Sequence, residues 1–146
     1  MLQRIGAKEG GFKNDAYGLS FEQFKDWLAE KDAWSKGDDL PEGYVRQWVF
    51  WLKEDDYPIG IGKIREKLTE RSRKWGGTIG YAISPEHRNR GYGKVLLREL
   101  VNWTRENGIS EIITTVYKDN SHSVRINVCN GGQIIKEDDR MIWFGY

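Results

Sequence analysis

The sequence predicts a mixed α/β (α+β) fold, with helices flanking a mainly antiparallel sheet, and three observations carry that expectation. Three strand-like segments follow one another between Tyr44 and Ile83 with turn chemistry between them, the pattern of an antiparallel meander. A strand, a glycine-rich loop and a helix then run from Thr78 to Glu106 and lead to another strand at Glu111–Tyr117, which sets two strands roughly parallel. Two final apolar segments flank Asp138-Asp139-Arg140 and read as a hairpin. With 146 residues and no repeat, linker or low-complexity run, residues 1–146 are expected to form one domain.

Met1 to Gly18 holds Gly6, Gly10, Gly11 and Gly18 among scattered charges, so it is expected to be irregular, with a short strand or helical turn. Ser20 and Gln23 have capping-box spacing, and Phe21, Phe24 and Leu28 share a face with Trp27 beside them. An amphipathic helix over Phe21–Lys31 follows. Gly37 to Gly43 is loop chemistry. In Tyr44–Lys53, Val45, Gln47, Val49 and Trp51 alternate with Arg46, Trp48, Phe50 and Leu52; both faces turn apolar, as in a strand covered on both sides. Asp55 to Pro58 is a turn, and Ile59–Arg65 a second strand whose Gly60 and Gly62 signal close approach by a neighbour. Glu66–Lys74 is expected as a charged loop or short helix, and Gly76–Ile83 as a third strand stopped by Ser84-Pro85. Tyr92–Glu106 has a helical period and an Asn107-Gly108 stop. Asp119-Asn120-Ser121 starts a short helix over Ser123–Asn130, closed by Gly131-Gly132, and Gln133–Lys136 pairs with Met141–Tyr146.

Lys and Arg total 23 against 22 Asp and Glu, a formal net charge of +1, so no broad positive field marks the chain for nucleic acid or a membrane surface. No apolar run is long enough to span a bilayer, and no signal-peptide pattern opens the chain. Cys129 alone excludes an intrachain disulfide, and one thiol with two histidines is a poor zinc set, so no metal is expected. These features point to a reducing, cytoplasmic setting. Seven tryptophans fit either a packed core or a flat, partly apolar pocket.

Positive charge is local to His87-Arg88-Asn89-Arg90-Gly91-Tyr92-Gly93-Lys94. A strand that passes through such a loop into a helix start makes an anion site, because successive N–H groups converge and the helix macrodipole adds partial positive charge. Gly91 and Gly93 admit positive φ and close approach; Arg88, Arg90 and Lys94 add charge suited to phosphate. No Gly-Lys-Ser/Thr follows, unlike a P-loop, and the Gly-x-Gly-x-x-Gly dinucleotide fingerprint is absent. Asn120, Ser123 and Arg125 open the second helix after the next strand.

On these motifs the chain resembles the GNAT superfamily of N-acetyltransferases. That family's Arg/Gln-x-x-Gly-x-Gly/Ala signature matches Arg88-Asn89-Arg90-Gly91-Tyr92-Gly93, behind a strand ending at Ser84-Pro85. A looser Asn-x-x-Ser/Ala motif matches Asn120 to Ser123, closed by Asn130-Gly131-Gly132. Gly76-Gly77-Thr78-Ile79-Gly80-Tyr81 is similar to a stretch of bacterial members, and the likeness runs from about Tyr17 to Tyr146. It implies a sheet splayed at the cofactor strand, with acetyl-CoA as co-substrate. The pyrophosphate would lie on the backbone of Arg88, Asn89, Arg90, Gly91, Tyr92, Gly93 and Lys94. Pantetheine would pair along Ile83 and Ser84, with Asn120 on the arm and Ser123 beside it. The implied reaction is acetyl transfer to a primary amine of a small molecule or peptide by direct attack.

The chain departs from the family twice. The tyrosine that serves many members as general acid, seven residues after the second motif's Asn, is Asn127 here. Tyr117 or a water is left as substitute, and Glu66 and Glu86 are the candidate bases. Relatives also open with a strand and helix that Met1–Leu19 is too short to hold, so either the start is truncated or the first strand is missing. Its loss would leave Tyr44–Lys53 as an exposed apolar edge that a second copy of the chain, in a homodimer, would cover. A catalytically silent module that binds CoA thioesters, or a nucleotide-binding protein using the same loop, are the alternatives. Blander roles stand beside these: Asn120 and Ser123 as helix caps, His122 as an exposed side chain, Cys129 as a small buried hydrophobe, and Trp48, Trp51 and Trp75 as packing residues. Glu54-Asp55-Asp56 and Glu137-Asp138-Asp139 read as solvated turns.

Overall fold

The structure, a computed structural model, describes every residue from Met1 to Tyr146. A helical turn α1 (Leu2–Ile5) and a small hairpin, β1 (Lys8–Glu9) and β2 (Phe12–Lys13), precede helix α2 (Phe21–Lys36). A meander follows: β3 (Gln47–Glu54), β4 (Tyr57–Arg65) and β5 (Ile79–Ile83), with the short helix α3 (Glu70–Lys74) before β5. Then come α4 (Tyr92–Glu106), β6 (Ile113–Tyr117), α5 (Ser121–Cys129), β7 (Gln133–Glu137) and β8 (Met141–Gly145).

Local chemistry sets most boundaries. Ser20 Oγ accepts from the Gln23 N–H at 3.2 Å and Gln23 Oε1 accepts from the Ser20 N–H at 2.9 Å, the reciprocal box expected for α2. The helix outlasts its predicted end at Lys31 because Trp34 extends the buried stripe begun by Trp27; Gly37, at φ 90°, then stops it. Asp55 and Asp56 both take positive φ, 46° and 65°, so the β3–β4 turn closes in two residues and Tyr57-Pro58 already belong to β4. Thr69 and Ser72 cap α3 in the same reciprocal way. Helix α4 coincides with its predicted span.

Strands β3, β4 and β5 form one antiparallel sheet in that order; β6, β8 and β7 form another, with the last strand at its centre. Strands β5 and β6 share no ladder. They meet where both begin: the Thr78 N–H donates to Ile113 O at 2.7 Å, the Ile113 N–H donates to Thr78 Oγ1 at 3.1 Å, and Thr78 Oγ1 donates to Glu111 O at 2.6 Å, while just ahead of β5 the Gly76 N–H donates to Thr115 Oγ1 at 2.8 Å. The expected single sheet is therefore two sheets hinged at Thr78, splayed from there on.

Helix α4 covers one face of β4 and β5 through Leu96, Leu97, Leu100 and Val101 against Ile64, Ile79 and Ile83. A Cβ on Gly62 would stand 2.6 Å from Leu100, the close approach its position signals. On the opposite face Trp27 of α2 joins Leu2, Ile5, Phe12, Ile61 and Ala82. Burying each such aliphatic side chain contributes about 1.5–3 kcal/mol.

The first nineteen residues add no strand to β3, which stays at the sheet edge. The apolar exposure expected there is corrected, however. Trp48 and Phe50 pack on Trp103 at 5.0 and 4.9 Å between ring centres, and Trp51 packs on Trp27 at 6.2 Å. Only the backbone edge is unpaired. Cys129 is also corrected: it is exposed on α5, because Asn127 takes the inward position.

Candidate active site

The β5–α4 loop presents a row of free donors. Asn89 and Gly91 adopt left-handed φ of 61° and 84°, and Gly91 caps α4. The N–H groups of Asn89, Arg90, Gly91, Tyr92 and Gly93 have no acceptor within the chain, whereas Lys94 donates its own to Gly91 O at 3.1 Å. Alternating handedness turns such successive N–H groups toward one concavity, at a helix N-terminus. Gly93 lets α4 press onto α5, since a Cβ there would lie 2.8 Å from Ile126 Cδ1.

The charged side chains of the loop divide. Arg88 is a brace: its Nε donates to Ile83 O at 3.1 Å and its guanidinium pairs with Glu9. Arg90 and Lys94 are exposed and pair with no carboxylate, so their charge is available to an anion. The Tyr92 hydroxyl donates to Glu54 and ties the loop to the β3–β4 turn.

Beside the loop, β5 offers a free edge. Arg65 N–H donates to Thr78 O and Ser84 N–H to Ile59 O, both at 2.9 Å. In an antiparallel ladder this phase points Thr78, Gly80, Ala82 and Ser84 at β4, and Ile79, Tyr81 and Ile83 away from it. Ile83 O is taken by Arg88. The open groups are therefore the Tyr81 N–H and C=O and the Ile83 N–H. Ser84, expected as a partner here, is turned to β4: its N–H donates to Ile59 O, its C=O accepts from the His87 N–H at 2.9 Å and its side chain is buried, so the free backbone of this edge lies at Tyr81 and Ile83.

Across the splay, Asn120 Oδ1 accepts from the Ser123 N–H at 3.1 Å and caps α5. Ser123 Oγ reaches the Tyr81 hydroxyl at 3.2 Å, a bridge from β5 to α5. Asn127 is fully buried; its Oδ1 accepts from Thr114 Oγ1 and, at 2.7 Å, from the Tyr146 hydroxyl, while its Nδ2 donates to Ser123 O at 2.8 Å. The position at which the family resemblance leads one to expect a tyrosine is thus an interior hub. Burial pushes the Tyr81 phenol up to about 12 against a smaller opposing effect of Ser123. Tyr146 is raised as well, first by burial. Both stay protonated donors at neutral pH.

The β1–β2 hairpin lies over the open side of the splay. A Cβ on Gly10 would be 2.5 Å from Asn120 Nδ2, one on Gly11 would be 3.3 Å from Tyr117, and one on Gly80 would be 3.5 Å from Phe12. Beneath it a cavity of about 420 Å³ runs from Gly80, Thr115 and Tyr117 to Arg65, Arg71 and Trp75 near the hinge. Asp15 in its wall would be raised by burial, but Lys63 and Lys31, the latter at 3.1 Å, hold its carboxyl well below the usual range. It is a counter-ion, with little basicity to offer. Of the catalytic candidates only Tyr117 lines this cavity. Glu66 faces Arg46 at 3.6 Å outside it, and Glu86 pairs with Arg4 at 2.8 Å.

Sequence reasoning missed Tyr81, whose alternation with Gly80 and Ala82 marks it only as a strand residue. It also missed the role of the amino-terminal glycines. The tryptophans divide: Trp27, Trp34 and Trp143 are buried, and Trp75, 54% exposed, rims the cavity.

Residues 14–126 match the profile of the Acetyltransferase (GNAT) family. No curated protein sequence matches the chain. Among solved structures, the ribosomal-protein-S5-alanine acetyltransferase from Vibrio fischeri superposes with a TM-score of 0.72 at 14% identity, over 97% of this chain and 79% of that one. A GNAT-family acetyltransferase from Streptococcus pneumoniae gives 0.66 at 18% identity over 99% and 87%. The Campylobacter jejuni N-acetyltransferase PseH, in complex with acetyl coenzyme A, gives 0.61 at 15% identity over 88% and 82%.

Proposed function

Because the chain belongs to the acetyltransferase (GNAT) family, we propose that it moves the acetyl group of acetyl-CoA to a primary amine of a small molecule or peptide, by direct attack. The observation that carries this reading is the run of unpaired N–H groups from Asn89 to Gly93 adjoining the free edge of β5. The donor set suits this co-substrate: convergent N–H groups with Arg90 and Lys94 for a pyrophosphate, and an unpaired strand edge for an amide-bearing arm. When bound, acetyl-CoA supplies an activated acyl group with a thiolate leaving group.

The chain's own residues have defined tasks. The Tyr81 N–H, free on the open edge of β5, would polarise a carbonyl laid along that strand. The Tyr81 hydroxyl, beside Ser123 Oγ at 3.2 Å, would be the hydrogen-bond donor to the leaving sulfur. With its pKa near 12 against about 8.5 for an ordinary thiol, it stabilises a thiolate by hydrogen bonding and retains its own proton. Tyr117 is the one candidate that lines the cavity, and since no basic carboxylate lines it, the amine proton would pass to solvent. Tyr81→Phe should therefore lower kcat by about ten- to a hundredfold with acetyl-CoA affinity changed only a few-fold. A kcat equal to that of the wild type would remove Tyr81 from the mechanism.

Thermal shift tests the reading as a whole. A ligand at about 100 times its Kd stabilises by roughly 2.7 kcal/mol, so acetyl-CoA should raise Tm while ATP and NAD do not. Thiol release on an amine panel then separates a transferase from a silent binder. Stabilisation by ATP without acetyl-CoA would overturn the assignment.

A further inference from the structure

Resting on the acetyl-transfer reading, we infer that the acceptor amine also carries an anionic group, a carboxylate or phosphate, which seats on Arg65 and Arg71 at the hinge end of the cavity. Lys63 and Arg65 project from the same face of β4, two residues apart, yet their charges are treated differently. Lys63 is satisfied inside the chain by Asp15 and by Lys13 O at 3.1 Å. Arg65 is half-buried and pairs with no carboxylate; Nη1 donates to Gly77 O at 3.0 Å, and the rest of its fork has no partner. Arg71, exposed on α3, adds a second guanidinium without a carboxylate, close enough to act on Arg65. A buried charge is normally paired, and a guanidinium fork matches carboxylate and phosphate oxygens. Trp75 and Tyr44 line the same end with aromatic surface. The walls are anchored: Arg73 pairs with Glu111, and Trp143 Nε1 donates to Arg73 O at 3.0 Å. Arg65 lies level with Thr78, three residues from Tyr81 along β5, so amine and anion are separated by on the order of 10 Å.

Four six-carbon primary amines that differ only in the group at the far end test this at fixed ionic strength: 6-aminohexanoate and 6-aminohexyl phosphate with an anionic end, hexylamine with a neutral one and 1,6-diaminohexane with a cationic one. The anionic pair should exceed the other two in kcat/KM by at least about tenfold, and the better of the pair names the anion. Arg71→Gln should collapse that preference toward unity, as should Arg65→Gln; Arg71 is exposed, so its variant keeps the test if loss of the Arg65 brace impairs folding. A neutral or cationic amine used as well as the anionic ones, or a preference that survives the folded variants, would overturn the inference. Failure of acetyl-CoA to stabilise the protein would instead strike the underlying reading. The anion site is then judged by calorimetry with 6-aminohexyl phosphate on the full chain: binding lost in Arg71→Gln supports it, and no binding to the wild type overturns it.

Discussion

Replacing Gly91 with valine is expected to lower acetyl-CoA affinity by about a hundredfold or more while leaving a folded protein. Gly91 holds φ at 84° as the cap of α4, a region that is an outlier for β-branched residues and costs of order 1–3 kcal/mol. The space around it is open, with nothing within 4 Å of a built Cβ, so the interior has no reason to repack. Relaxing the strain rotates the peptide planes on either side of position 91. The N–H groups of Arg90, Gly91 and Tyr92 then no longer share a focus. Each charge-assisted hydrogen bond contributes about 1.5–3 kcal/mol, so losing two reaches the hundredfold level at about 1.4 kcal/mol per decade. Calorimetric titration with acetyl-CoA measures the loss and circular dichroism the fold. Wild-type affinity in the variant would end the assignment of this loop to the pyrophosphate.

Much of the fold was legible because its signals are local. Ser20 with Gln23, the paired aspartates at 55 and 56, and the apolar period from Tyr92 to Glu106 each act within a few residues. The free N–H groups of the β5–α4 loop were legible as a candidate anion site for the same reason: its glycines and basic residues are contiguous. What escaped depends on which neighbour a residue meets. Whether Ser84 or Tyr81 offers backbone to a ligand turns on the phase of the β4–β5 ladder, which the sequence of β5 does not encode. Asn127 read as a missing acid; it is a hub because Thr114 and Tyr146, distant in sequence, converge on it. The amino-terminal hairpin, Lys8 to Lys13, looked like a deficit of secondary structure. Its glycines let it lie flat on Asn120 and Tyr117, contacts that no periodicity announces.

The same long-range logic makes Gly77 the residue on which the splay depends. It sits at φ 62°, immediately before the point where the sheets touch, and a Cβ would fall 2.3 Å from Ile113 O and 2.9 Å from its carbonyl carbon. Those are backbone atoms of β6, held by Thr78 and unable to yield as a flexible side chain would. Gly77→Ala must therefore strain the left-handed position and also push Ile113 away from Thr78. That second displacement breaks the hydrogen bonds that Thr78 makes to Ile113 and Glu111. Strain of about 1–2 kcal/mol and two or three buried hydrogen bonds at about 1 kcal/mol each sum to roughly 3–5 kcal/mol, a fall in Tm of about 10 °C or more. Gly108→Ala supplies the control: φ is 72° there, with nothing within 4 Å of a Cβ, so it carries the backbone strain alone, about 1–2 kcal/mol. Chemical denaturation of both variants separates strain from collision. Equal losses would mean that the sheets are not pinned at Thr78. A Gly77→Ala protein that stays folded but loses acetyl-CoA binding would show that the hinge sets the width of the opening as well as holding the sheets together.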